Sequence, residues 1–166
     1  MIKTIKVGYL QTNCYILIKD NNALIIDPGD EAEKIKEATK NLNIEAILIT
    51  HHHFDHVGAL EKFKNIEIID YKNKKTKTKN FEFEIIETKG HTEDSISFYF
   101  KKEKIMFVGD FVFEGSIGRT DLETGNMEEM EKSIQKLKTY PKDIELYPGH
   151  GNKTTLEIEL ENNPFF

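Results

Sequence analysis

Four side chains with metal-binding donors are crowded into six residues: His51, His53, Asp55 and His56, in the pattern His-x-His-x-Asp-His. Imidazole nitrogen and carboxylate oxygen are the donors that zinc, iron and manganese accept. Four in so short a run are more than one tetrahedral ion with an open position needs. The spacing predicts a turn rather than a helix, because positions i and i+2 of a helix point apart. The run follows Ile44 to Ile49, which reads as a buried strand, so the donors leave a strand end together. The competing reading is a polar loop or a remnant of an expression tag. A mid-chain position directly after an apolar strand argues against a tag.

Three further stretches repeat this arrangement. His91 sits in Lys89-Gly90-His91-Thr92, a glycine turn after a strand ending near Glu87. Asp110 follows the apolar run Ile105 to Gly109, and His150 follows Ile144 to Gly149. Four strands thus end in turns carrying His or Asp, the edge at which α/β sheets gather their sites. Five of the six histidines are so placed, and His52 is left over.

The elements that must position these residues follow from periodicity. Ile5, Val7 and Tyr9 alternate with polar residues. Cys14 to Ile18 and Ala23 to Ile26 are short apolar runs joined at Asn21-Asn22, which predicts a hairpin. Cys14 reads as a small core residue rather than a nucleophile. Asp27-Pro28-Gly29 ends the third strand. Asp27 is either a turn residue or an acceptor that reaches a ligand imidazole. Asp30 with Glu33 predicts a capping box for a helix with an apolar face of Ala32, Ile35, Ala38 and Leu42. A short helix is expected from Val57 to Lys64, then a strand from Ile66 to Ile69. Tyr71 to Asn80 holds five lysines, Lys72, Lys74, Lys75, Lys77 and Lys79, and reads as a solvated loop tip or an anion patch. Phe81, Phe83 and Ile85 alternate with glutamates as an amphipathic strand. Asn126 with Glu129 caps a helix striped by Met127, Met130, Ile134 and Leu137, stopped by Pro141.

At 166 residues the chain reads as a single domain over 1–166 with a core of its own. A net charge of −6, from 29 acidic and 23 basic residues, argues against a nucleic-acid backbone as partner. One cysteine excludes an internal disulfide and points to a reducing cytosol. No stretch reaches the roughly 18 apolar residues of a membrane span, and the first residues carry no apolar leader core. A soluble, cytoplasmic protein is therefore expected.

Taken together, His51-x-His53-x-Asp55-His56, Gly90-His91, Gly109-Asp110 and Pro148-Gly149-His150-Gly151 resemble the ordered motifs of the metallo-β-lactamase superfamily. The resemblance spans nearly the whole chain, including Asn13-Cys14-Tyr15 and Ile26-Asp27-Pro28-Gly29. Gly115 to Asp121 and Asn163-Pro164-Phe165 are similar to the compact hydroxyacylglutathione hydrolase-like (glyoxalase II-like) branch. The fold this implies is a four-layer αββα sandwich, two mixed β-sheets with helices on the outer faces. The resemblance assigns His51, His53 and His91 to one metal, Asp55, His56 and His150 to a second, and Asp110 to both. The implied cofactors are two zinc ions, with iron or manganese as alternatives. The implied enzyme is a hydrolase in which a metal-bridging hydroxide attacks a thioester such as a hydroxyacylglutathione, with Asp55 and Asp110 as its catalytic carboxylates. The substrate is then a small molecule, an anionic thioester, for which Arg119 is the candidate contact. An ion pair of Arg119 with Asp121 is the other reading of that residue.

Three departures from larger glyoxalase II enzymes bear on the substrate. Those enzymes carry a C-terminal helical domain that contacts glutathione, whereas sixteen residues follow His150 here. They place a tyrosine shortly after the last histidine, where this chain has Gly151-Asn152-Lys153. The segment from His56 to His91 is also short. Two rivals stay open: a mononuclear iron persulfide dioxygenase using His51, His91 and Asp110, or a hydrolase of another ester or lactone on the same site. Against a metal-holding or partner-binding module without activity stands the seven-residue donor set, since structural sites close with four.

Overall fold

The computed structural model describes residues 1–166. The chain divides into two compact units, Met1–Glu82 and Phe83–Phe166, each built around one five-stranded mixed sheet.

The first unit contains β1 (Ile2–Val7), β2 (Thr12–Lys19), β3 (Asn22–Ile26), α1 (Ala32–Thr39), β4 (Asn43–Leu48), α2 (Phe54–Val57) and β5 (Ile68–Ile69). The sheet runs in chain order, with β1, β2 and β3 antiparallel and β3, β4 and β5 parallel. The expected hairpin is β2–β3. β2 is buried from Thr12 to Leu17 rather than on alternate residues, as strands covered on both faces are. On one face, Cys14, Ile25, Ile47 and Ile49 pack with Ile35 of α1 and with Ala59 and Phe63. Pairing of β3 with β4 sets Ile26 opposite Leu48, and Asp27 N donates to Leu48 O at 3.0 Å. Asp27 is thereby brought beside the strand end that leads into the histidine run.

Several local expectations are corrected here. The Asp30–Glu33 capping box does not form: Glu31 holds the N-cap position in a left-handed conformation, without a side-chain cap. Asp30 Oδ1 instead accepts from Glu31 N at 2.6 Å, while Glu31 Oε2 accepts from Gly8 N at 3.0 Å. These contacts outweigh the local capping preference. α1 stops at Thr39, so Leu42 lies beyond it. The helix expected from Val57 to Lys64 is one α-turn at Phe54–Val57 and a 3-10 turn at Leu60–Lys62. The strand expected from Ile66 shortens to Ile68–Ile69.

The second unit contains β6 (Glu84–Glu87), β7 (Ile96–Phe100), β8 (Ile105–Gly109), the short hairpin β9 (Val112–Phe113) and β10 (Ser116–Ile117), α3 (Met127–Leu137), β11 (Glu145–Pro148), β12 (Thr154–Thr155) and α4 (Leu156–Asn162). Its five-stranded sheet has the order β12-β11-β8-β7-β6, and only β11 and β8 are parallel neighbours. Met130, Ile134 and Leu137 of α3 pack on Ile86, Tyr99, Met106, Val108 and Leu146, joined by Leu156 of α4. The predicted Asn126 cap forms, its side chain accepting from Glu129 N at 3.0 Å. Met127 falls outside the buried stripe. The strand expected to start at Phe81 begins at Glu84, although Phe81 and Phe83 are both buried ahead of it.

Candidate metal centre

In the first unit the donors leave β4 as expected, but only half of the run is a turn. His51 to His53 are non-helical, whereas Asp55 and His56 share the single turn of α2. Glycines make that packing possible: a Cβ on Gly29 would lie 1.6 Å from Asp55 O, so the Pro28-Gly29 backbone lies directly against the loop. The His51 ring lies 4.8 Å from that of His53 and 4.1 Å from that of His56, centroid to centroid. Asp55 Oδ2 is 3.5 Å from His56 Nε2 and accepts from Thr12 Oγ1 at 2.7 Å.

Asp27 answers the choice posed by its position. Its buried carboxylate accepts from His56 Nδ1 at 2.9 Å, from Thr50 Oγ1 at 2.7 Å and from Thr50 N at 2.8 Å. Thr50 Oγ1 is in turn 3.1 Å from His51 Nδ1. One carboxylate thus orients two imidazoles, one directly and one through a hydroxyl. With Nδ1 of both rings so engaged, Nε2 is the nitrogen left to bind a cation.

In the second unit, strand register gathers donors that are far apart in sequence. β8 and β11 run parallel with Pro148 opposite Gly109, and Gly149 N donates to Gly109 O at 2.8 Å. Asp110 and His150 therefore leave adjacent strand ends side by side. β6 is antiparallel to β7, which is antiparallel to β8, so the turn bearing His91 reaches the same edge. Asp110 Oδ2 lies 3.6 Å from His91 Nε2 and 3.5 Å from His150 Nε2. His91 Nδ1 donates to the carbonyl of Arg119 at 2.7 Å, which again turns Nε2 toward the carboxylate.

These separations fit a bound cation. Two ligands at ~2.0–2.2 Å on a tetrahedral ion stand roughly 3.3–3.5 Å apart, and the Nε2–Oδ2 distances in both units are 3.5–3.6 Å. A direct hydrogen bond would be shorter.

The remaining sequence candidates fall outside this pattern. Arg119 forms a bidentate pair with Asp121, Nε to Oδ1 at 2.7 Å and Nη2 to Oδ2 at 2.9 Å, and both side chains are exposed. The pairing raises the guanidinium pKa and holds the Asp121 carboxyl down at about 2. His52 is turned to Asp70, 3.3 Å away, and meets the edge of Tyr71. Cys14 is buried, and desolvation drives its thiol pKa up, consistent with a core residue. Thr12, Thr50 and the Arg119 carbonyl are site groups that sequence reasoning does not find. A threonine or a main-chain acceptor carries no motif of its own.

Residues 7–79 and 79–150 match the family described as the metallo-beta-lactamase superfamily. The chain belongs to that superfamily. It is 34% identical to hydroxyacylglutathione hydrolase GloC of Haemophilus influenzae, over 99% of this chain and 97% of the relative. A solved BLEG-1 B3 metallo-beta-lactamase superposes with a TM-score of 0.94 at 32% identity, covering 99% of both chains. TTHA1623 in a di-iron-bound form superposes with a TM-score of 0.86 at 30% identity, over 99% of this chain and all of that one. The fold class is the αββα one of this superfamily, and the chain is a metallo-hydrolase within it. No helix is long and apolar enough to cross a membrane. The alignment with GloC runs over 205 positions against 166 residues here, so at least 39 positions have no counterpart in this chain.

Proposed function

We propose that this chain hydrolyses a thioester of the hydroxyacylglutathione type at a dinuclear metal centre. His51, His53 and His91 would hold one cation, Asp55, His56 and His150 the other, and Asp110 both. The observation that carries this reading is a geometry repeated at His56 and His91: Nδ1 tied back, Nε2 facing a carboxylate oxygen 3.5–3.6 Å away. The name carried by the Haemophilus influenzae relative supports the substrate class. Zinc is the proposed metal; the di-iron form of TTHA1623 keeps iron in view.

Two cations so held lower the pKa of water and polarise a carbonyl oxygen. The chain's own residues do the placing. Asp27 and Thr50 fix the tautomers of His56 and His51, and the Arg119 carbonyl fixes that of His91. Asp110 would supply negative charge to a pair of cations held there. A thiolate leaving group is stable enough to depart without a protein general acid. Arg119 would meet an anionic substrate by exchanging its pair with Asp121, so Arg119→Ala should cost more with an anionic thioester than with a neutral one.

The test is metal analysis of protein purified without added metal, followed by a screen of thioesters, lactones and phosphodiesters. About two metals per chain and thioester turnover are expected. The positions missing relative to GloC lie in the body of the alignment, so few remote contacts should grip the thiol portion. A hydroxyacyl ester of a simple thiol should therefore be hydrolysed within about tenfold of the glutathione ester, a difference of ~1.4 kcal/mol. Preference for a lactone or phosphodiester would overturn the substrate class. A single iron with oxygen consumption would favour the persulfide dioxygenase instead.

A further inference from the structure

α4 carries two buried polar side chains that the proposed chemistry does not use. Glu159 has no exposed surface, and Asn163, just past the helix end, is 5% exposed. Glu159 Oε1 accepts from Thr154 Oγ1 at 2.6 Å; Oε2 accepts from Gly115 N at 2.9 Å and Asn163 Nδ2 at 2.7 Å. Asn163 Nδ2 also donates to Ser116 O at 2.9 Å. Three donors offset the desolvation of a buried carboxylate. Two of the four bonds leave α4 for the turn and second strand of the β9–β10 hairpin, which helix stability alone does not call for.

That hairpin leads straight to the candidate ligands. Gly118 N donates to Phe111 O at 3.2 Å, and a Cβ at Gly118 would lie 1.8 Å from Asp110 O and 3.1 Å from His91 Nδ1. The next residue, Arg119, offers the carbonyl that accepts from His91 Nδ1. A run of contacts inside the second unit therefore connects Glu159 and Asn163, through Gly115 and Ser116, to the backbone that orients His91.

We propose that Glu159 and Asn163 are positioning residues of the metal centre: by clamping Gly115 and Ser116 they hold the Gly118-Arg119 backbone against His91 and Asp110. This rests on the reading that His91 and Asp110 bind metal. α4 supplies no donor itself and acts only through the hairpin. Losing the clamp frees the Arg119 carbonyl to move, and His91 then loses the acceptor that fixes its tautomer.

The test compares Glu159→Leu, Glu159→Gln, Asn163→Ala and His91→Ala for zinc affinity, by chelator competition on folded protein, and for the cobalt absorption spectrum. Glutamine can still accept from Gly115 N and Asn163 Nδ2 while its amide donates to the Thr154 hydroxyl. We expect Glu159→Leu to weaken one of two zinc ions by about 10–100-fold, the range for loss of a ligand's orienting partner, and to alter the cobalt spectrum. Glu159→Gln should stay near the parent. If Glu159→Leu does not fold, Asn163→Ala removes the bonds to Ser116 O and Glu159, together with the one its Oδ1 accepts from Phe165 N, and should weaken the same ion by a smaller factor. Zinc affinities and spectra unchanged in the folded clamp variants, with only a lower Tm, would overturn the proposal and leave a structural role. The two readings separate cleanly: His91→Ala without effect on either ion sinks the site assignment, whereas loss of an ion there with intact affinity in the clamp variants sinks the clamp alone.

Discussion

The two units bring candidate metal donors together in different ways. The first takes His51, His53, Asp55 and His56 from one six-residue run, while the second takes His91, Asp110 and His150 from three strand ends. A contiguous run has too little backbone regularity to aim its own side chains, so others aim them: Asp27 holds His56, Thr50 lies against His51, and Thr12 holds Asp55. In the second unit, register does most of that work. Pairing of β8 with β11 sets Asp110 beside His150, and the acceptor that orients His91 is a main-chain carbonyl. The first unit should thus be vulnerable to loss of supporting side chains, and the second to loss of the ligands themselves and of its backbone frame.

The largest expected effect tests the second unit directly. Asp110→Ala removes the carboxylate that stands between two imidazoles, and in the dinuclear reading leaves two cations facing each other. Metal content should fall from about two ions per chain, with activity down by roughly 10³-fold or more, the several kcal/mol ascribed to such clamps. Both metals retained with near-normal turnover would break the reading that Asp110 is shared.

Next in size is the supporting carboxylate of the first unit. Asp27→Asn keeps the shape but gives His56 Nδ1 a weaker, neutral acceptor and disturbs the bonds to Thr50. Metal affinity at the His56 ion should drop by about 10–100-fold. The same isothermal titration on a variant of any single side chain outside the ligands in β6 or β8 should show far less. An equal loss from such a β6 or β8 variant would erase the contrast drawn above.

A third substitution probes the frame of the second unit. Asn126 caps α3, and its N–H donates to Gly90 O at 2.8 Å, immediately before His91. Asn126→Ala should cost about 1 kcal/mol of stability, typical for a lost cap, read from denaturant unfolding. Both metals should still bind, because the backbone bond to Gly90 survives. α1 has no side-chain cap to lose, so no counterpart exists in the first unit.

How much of this was legible depended on whether position was set locally. The histidine run, the strand ends bearing His91, Asp110 and His150, and the Asn126 cap could all be read from neighbours in sequence. The Asp30–Glu33 box looked equally plain yet failed, because Glu31 is drawn to Gly8, far away in sequence. Asp27 could be narrowed to two roles, and only the β3–β4 register chose between them. The Arg119 side chain drew attention, while the group that touches His91 is its carbonyl, which any residue would supply. Glu159 had no visible signal at all. A buried carboxylate in a short helix looks in sequence like any surface glutamate.

The smallest expected effect lies at the start of β4, away from the histidine end of that strand. Glu45 accepts from Thr78 Oγ1 at 2.5 Å and from Asn80 through both its N–H, at 3.0 Å, and its side chain. It therefore pins the end of the lysine-rich segment, so this stretch is tethered rather than a loose loop tip. Burial alone would raise the Glu45 pKa, but the Thr78 and Asn80 hydrogen bonds and nearby Lys79 outweigh it, and the net shift is downward. A depressed carboxylate contributes stability that is present above its unfolded value, 4.5, and is lost as pH falls through the lower folded one. Glu45→Gln should cost under about 1 kcal/mol at neutral pH, since the site is partly exposed to solvent. The difference from the parent should shrink toward zero as unfolding is followed from pH 5 down to about 3. Metal content should not change, because Glu45 lies near the start of β4, away from the end that leads to His51. A loss of metal in Glu45→Gln would mean that the first unit's donors depend on its sheet as much as the second unit's do.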